Sequence, residues 1–135
     1  MEQTMYDCFV RILKKELVPA LGCTEPIALA YAAAKARQVL GAFPERVVTT
    51  CSGNIIKNVK GVVVPATGGL RGIEAATLIG AVGGDPERKL EVLTGVTDED
   101  RAKVRQLLEE KLCTVKLSDS NAKLHIIRCE FDVIR

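Results

Sequence analysis

The sequence TEPIALAYAAAKARQVLG, from Thr24 to Gly41, predicts the helix on which the rest of this 135-residue chain is expected to pack. Small and apolar residues fill this stretch, and alanine has the highest helix propensity of all residues. Thr24 is predicted as the N-cap, with Glu25 and Pro26 in the first turn. Gly41 supplies the C-terminal stop. Because the interior is rich in small side chains, neighbouring elements can approach its backbone, and we expect this helix to be central.

Further helices are predicted on both sides of the central one. Apolar residues recur at helical spacing near the N-terminus and again in the second half of the chain. A β-branched run predicts a short strand, and the segment from Ile55 to Asn58 fits either a helical turn or a strand edge. The predicted segments are a helix from Gln3 to Leu17, a strand from Arg46 to Cys51, a helix from Leu70 to Val82, a short helix from Pro86 to Leu93 and an amphipathic helix from Thr97 to Lys111.

The C-terminal part of the chain has a different pattern, in which apolar and polar residues alternate. The two alternating runs extend from Cys113 to Leu117 and from Lys123 to Ile134, with a turn from Ser118 to Asn121 between them. This arrangement predicts an antiparallel pair of strands. The expected fold is therefore α+β, a single domain over residues 1–135 with several helices, short mixed strands and a C-terminal antiparallel pair.

The composition is that of a globular protein, with 47% hydrophobic and 27% charged residues. The 19 basic and 17 acidic residues give a net charge of +2, which is too balanced for an obvious nucleic-acid surface. The apolar stretches are too short to span a membrane, and the polar N-terminus is unlike a secretory signal. We therefore expect a cytoplasmic protein that binds neither nucleic acid nor membranes.

The five cysteines are widely spaced and include no CxxC pair. Their odd number and spacing argue against a disulfide framework and against a self-contained zinc site. Cys8, Cys51, Cys113 and Cys129 are interpreted as core or strand residues, and the single histidine, His125, as a strand residue without an assigned role. Cys23 remains as the cysteine that points to a function.

The first motif is LGCTEP, from Leu21 to Pro26. The start of a helix presents unpaired N–H groups and about half a positive charge, which favour a thiolate. Cys23 precedes the predicted N-cap and is therefore a candidate metal ligand, cluster ligand or nucleophile. The alternative is a small packing residue beside an ordinary helix cap.

The second motif is the tripeptide Ser52, Gly53 and Asn54 at the end of the predicted strand. Such a loop can present backbone and side-chain amides to a carboxylate. The same residues are also frequent in turns that bind nothing. Lys57 follows closely and is a candidate base if it is removed from water.

The third motif is TGGLRG, from Thr67 to Gly72, which is predicted to open the helix that starts near Leu70. Glycines at a helix start let a ligand approach the backbone and the positive end of the helix dipole. The glycine spacing fits neither a Walker loop nor the dinucleotide fingerprint. A flexible entry turn is the alternative interpretation.

All three motifs lie in the first part of the chain, at or near a predicted helix start. If these helix ends converge, then Cys23, Asn54 and Gly69 surround one site for an anion or for the carboxylate of an amino acid. Two kinds of protein fit such a site at this point. One is an enzyme that uses the thiol, and the other is a non-catalytic binding module for an amino acid or small anion.

Three strings carry a resemblance to a known family: LVPALGCTEPIALAYAAAKA, SGNIIKNVKGVVVPATGGLRGIEAA and LIGAVGGDPERKLEVL. They resemble the serine-dehydratase-like α-chain family, which includes L-cysteine desulfidases and iron–sulfur L-serine dehydratases. The resemblance extends from Leu17 to Leu93 and more loosely beyond. It implies an oxygen-sensitive [4Fe-4S] lyase that converts L-cysteine or L-serine by α,β-elimination into pyruvate, ammonia and sulfide or water.

The resemblance also implies roles for the three motifs. Cys23 would be a cluster ligand, and the chemistry makes Lys57 the most plausible base for the Cα proton. An iron without a protein thiolate would act as a Lewis acid on the substrate. The substrate-site residues would be Ser52, Gly53, Asn54, Thr67, Gly68 and Gly69. The choice between cysteine and serine as substrate is left open.

Members of this family are longer, and their other cluster cysteines lie in a C-terminal part that this chain lacks. Because such clusters need three or four thiolates, we expect the chain to be the N-terminal portion of a longer lyase, without an intact cluster or activity alone. Its partner would be the missing C-terminal domain or a partner subunit. Apolar surface left exposed would favour a homodimer. The alternatives are the binding module and one subunit of a two-chain dehydratase.

Overall fold

The computed structural model describes residues 2–119, 121 and 126–132, and it confirms an α+β fold. His125 lies outside the described residues. Five α-helices, one 3-10 helix and three strands make up the described part of the chain. In chain order they are α1 (Gln3–Glu16), α2 (Thr24–Leu40), β1 (Arg46–Cys51), α3 (Gly53–Val59), α4 (Gly72–Gly83), the 3-10 helix (Pro86–Glu91), α5 (Asp98–Glu109), β2 (Cys113–Leu117) and β3 (Ile126–Asp132).

The three strands form a mixed sheet in the order β2-β1-β3. β2 pairs parallel with β1, with Val47 opposite Cys113, and β3 pairs antiparallel with β1, with Arg46 opposite Asp132. The predicted C-terminal antiparallel pair was therefore wrong, because β1 lies between its two members. Alternation shows which face of a strand is buried, but it does not identify the neighbouring strand. β1 takes the centre because its successive residues are buried on both faces.

The predicted central position of the alanine-rich helix is confirmed. α2 packs across α4, and Ala30, Ala33 and Ala34 are fully buried. A methyl group on Gly80 of α4 would lie 2.5 Å from the Cα of Ala30, so the two backbones touch at this crossing. Small residues on both helices make this close approach possible. α2 also packs against β3 and α4 against β2, which closes the core over one face of the sheet.

A guanidinium group fixes the other end of the same helix pair. Arg37 of α2 donates hydrogen bonds of 2.9 Å to the carbonyl oxygens of Val82 and Gly84. These carbonyls lie at the C-terminal end of α4, where the last carbonyls of a helix lack partners within the helix. The positive charge of Arg37 also suits the negative end of the helix dipole.

α1 stands apart from this core. It forms a helix close to the predicted boundaries, but none of its residues is buried. Cys8, predicted as a core residue of this helix, is only partly covered. One face of α1 carries large apolar side chains that are about half exposed, followed by two more in the segment after it: Met5, Tyr6, Phe9, Ile12, Leu13, Leu17 and Val18. In the described part of the chain, no helix is both long and apolar enough to cross a membrane.

Candidate functional site

The LGCTEP loop leads into the first turn of α2. Cys23, and not the predicted Thr24, occupies the N-cap position, and its exposed side chain makes no capping hydrogen bond. The residue before it, Gly22, has a φ of +86°, and a methyl group on it would lie 2.9 Å from Cγ of Pro65. A glycine is therefore needed both for the backbone conformation and for the close contact. This contact joins the first motif to the loop that contains the third.

The first motif is also joined to α3. Asn58 Nδ2 donates a hydrogen bond of 3.0 Å to Glu25 Oε1 in the first turn of α2. Asn58 lies about one helical turn after Asn54, which is exposed at the start of α3. The segment from Ile55 to Asn58, whose pattern left two possibilities open, is thus helical. It places α3 beside the turn that carries Cys23.

Ser52 has a structural role in the second motif. It is 1% exposed, and its hydroxyl accepts a hydrogen bond of 3.5 Å from the backbone N–H of Ile55, so it caps α3. A buried capping serine does not present its hydroxyl to a ligand. Gly53 and Asn54 follow it in the first turn and are exposed. Of the three predicted substrate-site residues in this motif, these two remain accessible.

Lys57 is exposed on α3. A lysine acts as a base near neutral pH when burial or neighbouring charge removes its proton. The described part of the chain does not bury Lys57, so the environment that this role needs is not present here. Its assignment as the base stays a prediction.

Gly68 and Gly69 of the third motif form the tip of a hairpin-like loop, the glycine tip, ahead of the helix. Residues Val63 and Arg71 form an isolated antiparallel bridge, and α4 begins at Gly72. The helix predicted from Leu70 thus begins two residues later, at the last residue of the motif, and Gly68 and Gly69 lie in the loop before it. Both glycines have positive φ, +71° and +103°, which the reversal of the chain requires.

Thr67 holds the loop together from the inside. It is fully buried, its hydroxyl donates to the carbonyl oxygen of Val64 at 2.7 Å, and it accepts from the N–H of Leu70 at 3.0 Å. Thr67, predicted as a substrate-site residue, has the hydrogen bonds of a structural residue. Gly68 and Gly69 beyond it are exposed.

Two arginines of α5 lie over the glycine tip. A methyl group on Gly68 would lie 3.3 Å from Nη2 of Arg105 and 3.8 Å from Cδ of Arg101. Arg101 also lines a cavity of about 390 Å³, together with Gly22, Pro65 and Ala66 from the two loops. The composition of α5 predicts a surface helix, and neither arginine was among the predicted site residues. Their i, i+4 spacing, which places both on one face of a helix, was the available signal.

The other cysteines with described side chains belong to different surroundings. Cys51 is buried in the core, as predicted, and Cys113 is partly buried and packs against the core. Burial raises the pKa of each thiol to about 11. Cys129 pairs with Thr49 in the sheet, as a strand residue, and its side chain lies outside the described part. Within the described residues, no three His, Cys, Asp or Glu side chains come together as a metal site.

The donor set around Cys23 is therefore incomplete for an iron–sulfur cluster. Such clusters are held by three or four thiolates, and the described surroundings of Cys23 supply one. The described residues around Cys23 can therefore contribute a single ligand to such a group. What the structure does bring together is the Cys23 turn, the end of α3 and the glycine tip, through the Gly22–Pro65 contact and the Glu25–Asn58 hydrogen bond.

Comparison with known proteins finds relatives that share the name UPF0597 protein. One from Lachnoclostridium phytofermentans is 57% identical over 123 residues, which cover 91% of this chain and 30% of the relative. One from Treponema denticola is 48% identical over 126 residues, 93% of this chain and 29% of the relative. One from Finegoldia magna is 53% identical over 118 residues, 87% of this chain and 28% of the relative. No family model and no solved structure matches.

These relatives correct the family assigned from the three strings. They are named UPF0597 proteins, and nothing found names a serine-dehydratase-like family, so that identification was wrong. The three strings are long, but the relatives found by comparison do not have the name that the strings suggested. Over most of its length the chain is similar to UPF0597 proteins, and it spans about 30% of the length of these curated relatives.

Proposed function

We propose that this chain is part of a longer iron–sulfur-dependent lyase, to which it contributes Cys23 as one cluster ligand. The reaction would be the α,β-elimination of L-cysteine or L-serine to pyruvate, ammonia and sulfide or water. The observation that carries the proposal is the exposed thiol of Cys23 at the start of the 17-residue helix α2, beside two other loops. A cytoplasmic location belongs to the same proposal, because free thiols persist in reducing compartments.

The position of Cys23 differs from that of the other thiols in the way a ligand requires. The start of a helix carries partial positive charge, which favours negatively charged groups such as a metal-bound thiolate. Cys51 and Cys113 have pKa values raised to about 11 by burial, and such thiols stay protonated at neutral pH. Cys23 is exposed, and its side chain makes no capping hydrogen bond to α2.

The remaining ligands would come from polypeptide outside this chain. The curated relatives are more than three times as long as the segment they share with it, since that segment is 30% of the first relative. A missing C-terminal domain or a partner subunit can supply the further thiolates and cover Lys57. The chain alone is then expected to hold no intact cluster and to be inactive.

A second function has an observation in its favour. The cavity of about 390 Å³ beside the glycine tip is formed by residues of this chain alone. That favours a non-catalytic binding module for an amino acid or small anion. The two functions differ in their need for iron and for Cys23, and this difference decides between them.

A chimera tests the lyase. This chain replaces the matching segment of the Lachnoclostridium phytofermentans relative, and the protein is purified without oxygen in the presence of iron and sulfide. We expect bound iron and pyruvate formation from L-cysteine or L-serine, and loss of both in the Cys23→Ser variant. Cys8→Ser on α1 is the matched control and should keep both. Unchanged pyruvate formation by Cys23→Ser, or none from either substrate by the unaltered chimera, would contradict the proposal.

A further inference from the structure

We infer that the carboxylate of a small α-amino acid is bound by Arg101, which lines the cavity between the LGCTEP loop and the loop of Pro65 and Ala66, with Arg105 beside Gly68 as the second guanidinium group. This inference rests on the proposed function, because it takes an amino acid as the ligand. It assigns the recognition of that ligand to α5, which contains none of the three motifs. It rests on a cavity lined by Arg101, the guanidinium group of Arg105 and the two glycines of the tip.

The cavity has a suitable size and lining. Its volume of about 390 Å³ lies within the range of roughly 300 to 1,000 Å³ that is usual for small-molecule sites. Among the described residues that line it, most are apolar or small, and Arg101 is the charged one. A pocket of this kind, with few polar groups in defined places, orients a ligand by its charged end. The lining includes Gly22, whose neighbour in the chain is Cys23.

The charge of Arg101 is only weakly compensated within the protein. Its side chain is 27% exposed, and its Nη2 lies 3.6 Å from Oδ1 of Asp98, whose side chain is fully exposed. A solvated pair at this distance contributes little. Arg101 Nη1 donates a hydrogen bond of 3.3 Å to the carbonyl oxygen of Val96, which holds the guanidinium group at the wall of the cavity. The group is thus positioned and remains able to attract an anion.

Arg105 lies one turn further along the same face of α5. Its Nη2 would be 3.3 Å from a methyl group on Gly68, so a side chain at the tip would press against it. Glycine at position 68 leaves the space beside Arg105 open. Guanidinium groups are usual partners of a carboxylate, since charge-assisted hydrogen bonds are the strong ones.

The experiment measures binding to the 135-residue chain itself, without iron, by NMR titration or calorimetry. The probes are L-serine and L-serinamide, which differ in the carboxylate and share the ammonium group. We expect L-serinamide to bind at least about tenfold more weakly, because a charge-assisted hydrogen bond contributes roughly 1.5 to 3 kcal/mol. Arg105→Gln should weaken L-serine binding by a similar factor, and Arg101→Gln by at least as much.

The control lies on the same helix. Lys103→Gln makes the same change of charge between the two arginines, but the Lys103 ammonium lies over the ring of Phe43, 4.6 Å from its centroid. It should leave L-serine binding within about twofold of the unaltered chain, as expected for a charge outside the site. Because Arg101 also bonds to Val96, Arg101→Gln is checked for folding by circular dichroism. Arg105 is exposed, and its variant carries the test if Arg101→Gln does not fold.

The outcomes separate this inference from the proposed lyase. Equal binding of L-serine and L-serinamide, no detectable binding of L-serine, or full affinity in Arg105→Gln would overturn the carboxylate site. If the chimera lacks iron and activity but Arg105→Gln strongly weakens L-serine binding, the lyase proposal is rejected and the carboxylate site is kept. If the arginines merely tie α5 to the hairpin, the variants would lower stability without changing L-serine affinity.

Discussion

Gly80 of α4 lies against the backbone of Ala30 in α2, and a methyl group on Gly80 would meet the carbonyl carbon of Ala30 at 2.6 Å. No side chain separates the two helices at this point. The approach of α2 to α4 therefore depends on the absence of a Cβ atom at Gly80.

Gly80→Ala should destabilise the chain strongly, because the added methyl group has no space between the two backbones. Overpacking of a core costs about 1 to 3 kcal/mol and occasionally more, and we expect about 3 kcal/mol from urea unfolding. Gly61→Ala is the control, since a methyl group there would meet nothing within 4 Å. An equal loss of stability in both variants would contradict the close crossing.

Arg37→Gln should loosen the C-terminal end of α4. It removes two hydrogen bonds of 2.9 Å from a charged donor to the carbonyl oxygens of Val82 and Gly84. We expect the free energy of unfolding to fall by about 2 kcal/mol, as for other hydrogen bonds to charged groups. Lys35→Gln, on the exposed side of α2, should change it by less than about 0.5 kcal/mol. Hydrogen exchange of the last turn of α4 should be faster in Arg37→Gln.

The apolar face of α1 should matter for association and not for the stability of the core. The Phe9→Ser, Ile12→Ser double variant should lose little unfolding free energy, because both side chains are 50% exposed. Leu78→Ala, at a fully buried position, should lose roughly 2 to 5 kcal/mol. Analytical ultracentrifugation should show self-association of the unaltered chain at high concentration, reduced in the double variant. A monomer at all concentrations would exclude the homodimer.

The stability of the chain should decrease as the pH rises from 9 to 11. The pKa of Cys51 and that of Cys113 are raised by burial from 9.0 to about 11 in the folded state. The unfolded chain therefore loses these protons at lower pH than the folded chain does, so the stabilisation is complete below pH 9 and is lost toward pH 11. The Cys51→Ala, Cys113→Ala double variant should show a flatter pH dependence of urea unfolding. This comparison separates the contribution of the two thiols from that of lysine and tyrosine side chains, which titrate in the same range.

Alkylation should distinguish Cys23 from the buried thiols. Iodoacetamide at pH 8 should modify Cys23, which is exposed, well before Cys51 and Cys113, which are shielded and protonated. Peptide mapping by mass spectrometry assigns each site. Addition of urea should make the rates similar, and equal rates in the folded chain would mean that the Cys23 thiol is not exposed.

The central helix and the helical boundaries could be predicted because they depend on local residue types. Alanine-rich sequence with Gly41 at its end predicts both the existence of α2 and its capacity for close packing. The left-handed conformation of Gly41, with φ of +74°, is the expected C-terminal stop. The N-cap was predicted one residue too late, because Thr24 is a better capping residue than Cys23 by type.

Partners in space could not be predicted in the same way. The alternating runs at the C-terminus are strands, but their neighbour is β1, which the local pattern does not reveal. The motif from Thr67 to Gly72 was expected to open a helix, and α4 does begin at its last residue. The loop that Gly68 and Gly69 form before it could not be predicted, because it depends on hydrogen bonds of the buried Thr67 hydroxyl. Arg101 and Arg105 belong to the candidate site through tertiary contact with Gly68, which no local pattern contains.

The position of β1 in the sheet also sets the order in which this protein can be completed during synthesis. β1 is made early, but both of its neighbours, β2 and β3, are made after α5. Until the ribosome has released residues up to Leu117, both edges of β1 are unpaired. Pairing of β1 with β2 then closes the long loop that connects the two strands in sequence. The helices α2 and α4 can already pack against each other at that stage. The start of α2, which carries Cys23, can therefore fold before the sheet has its outer strands.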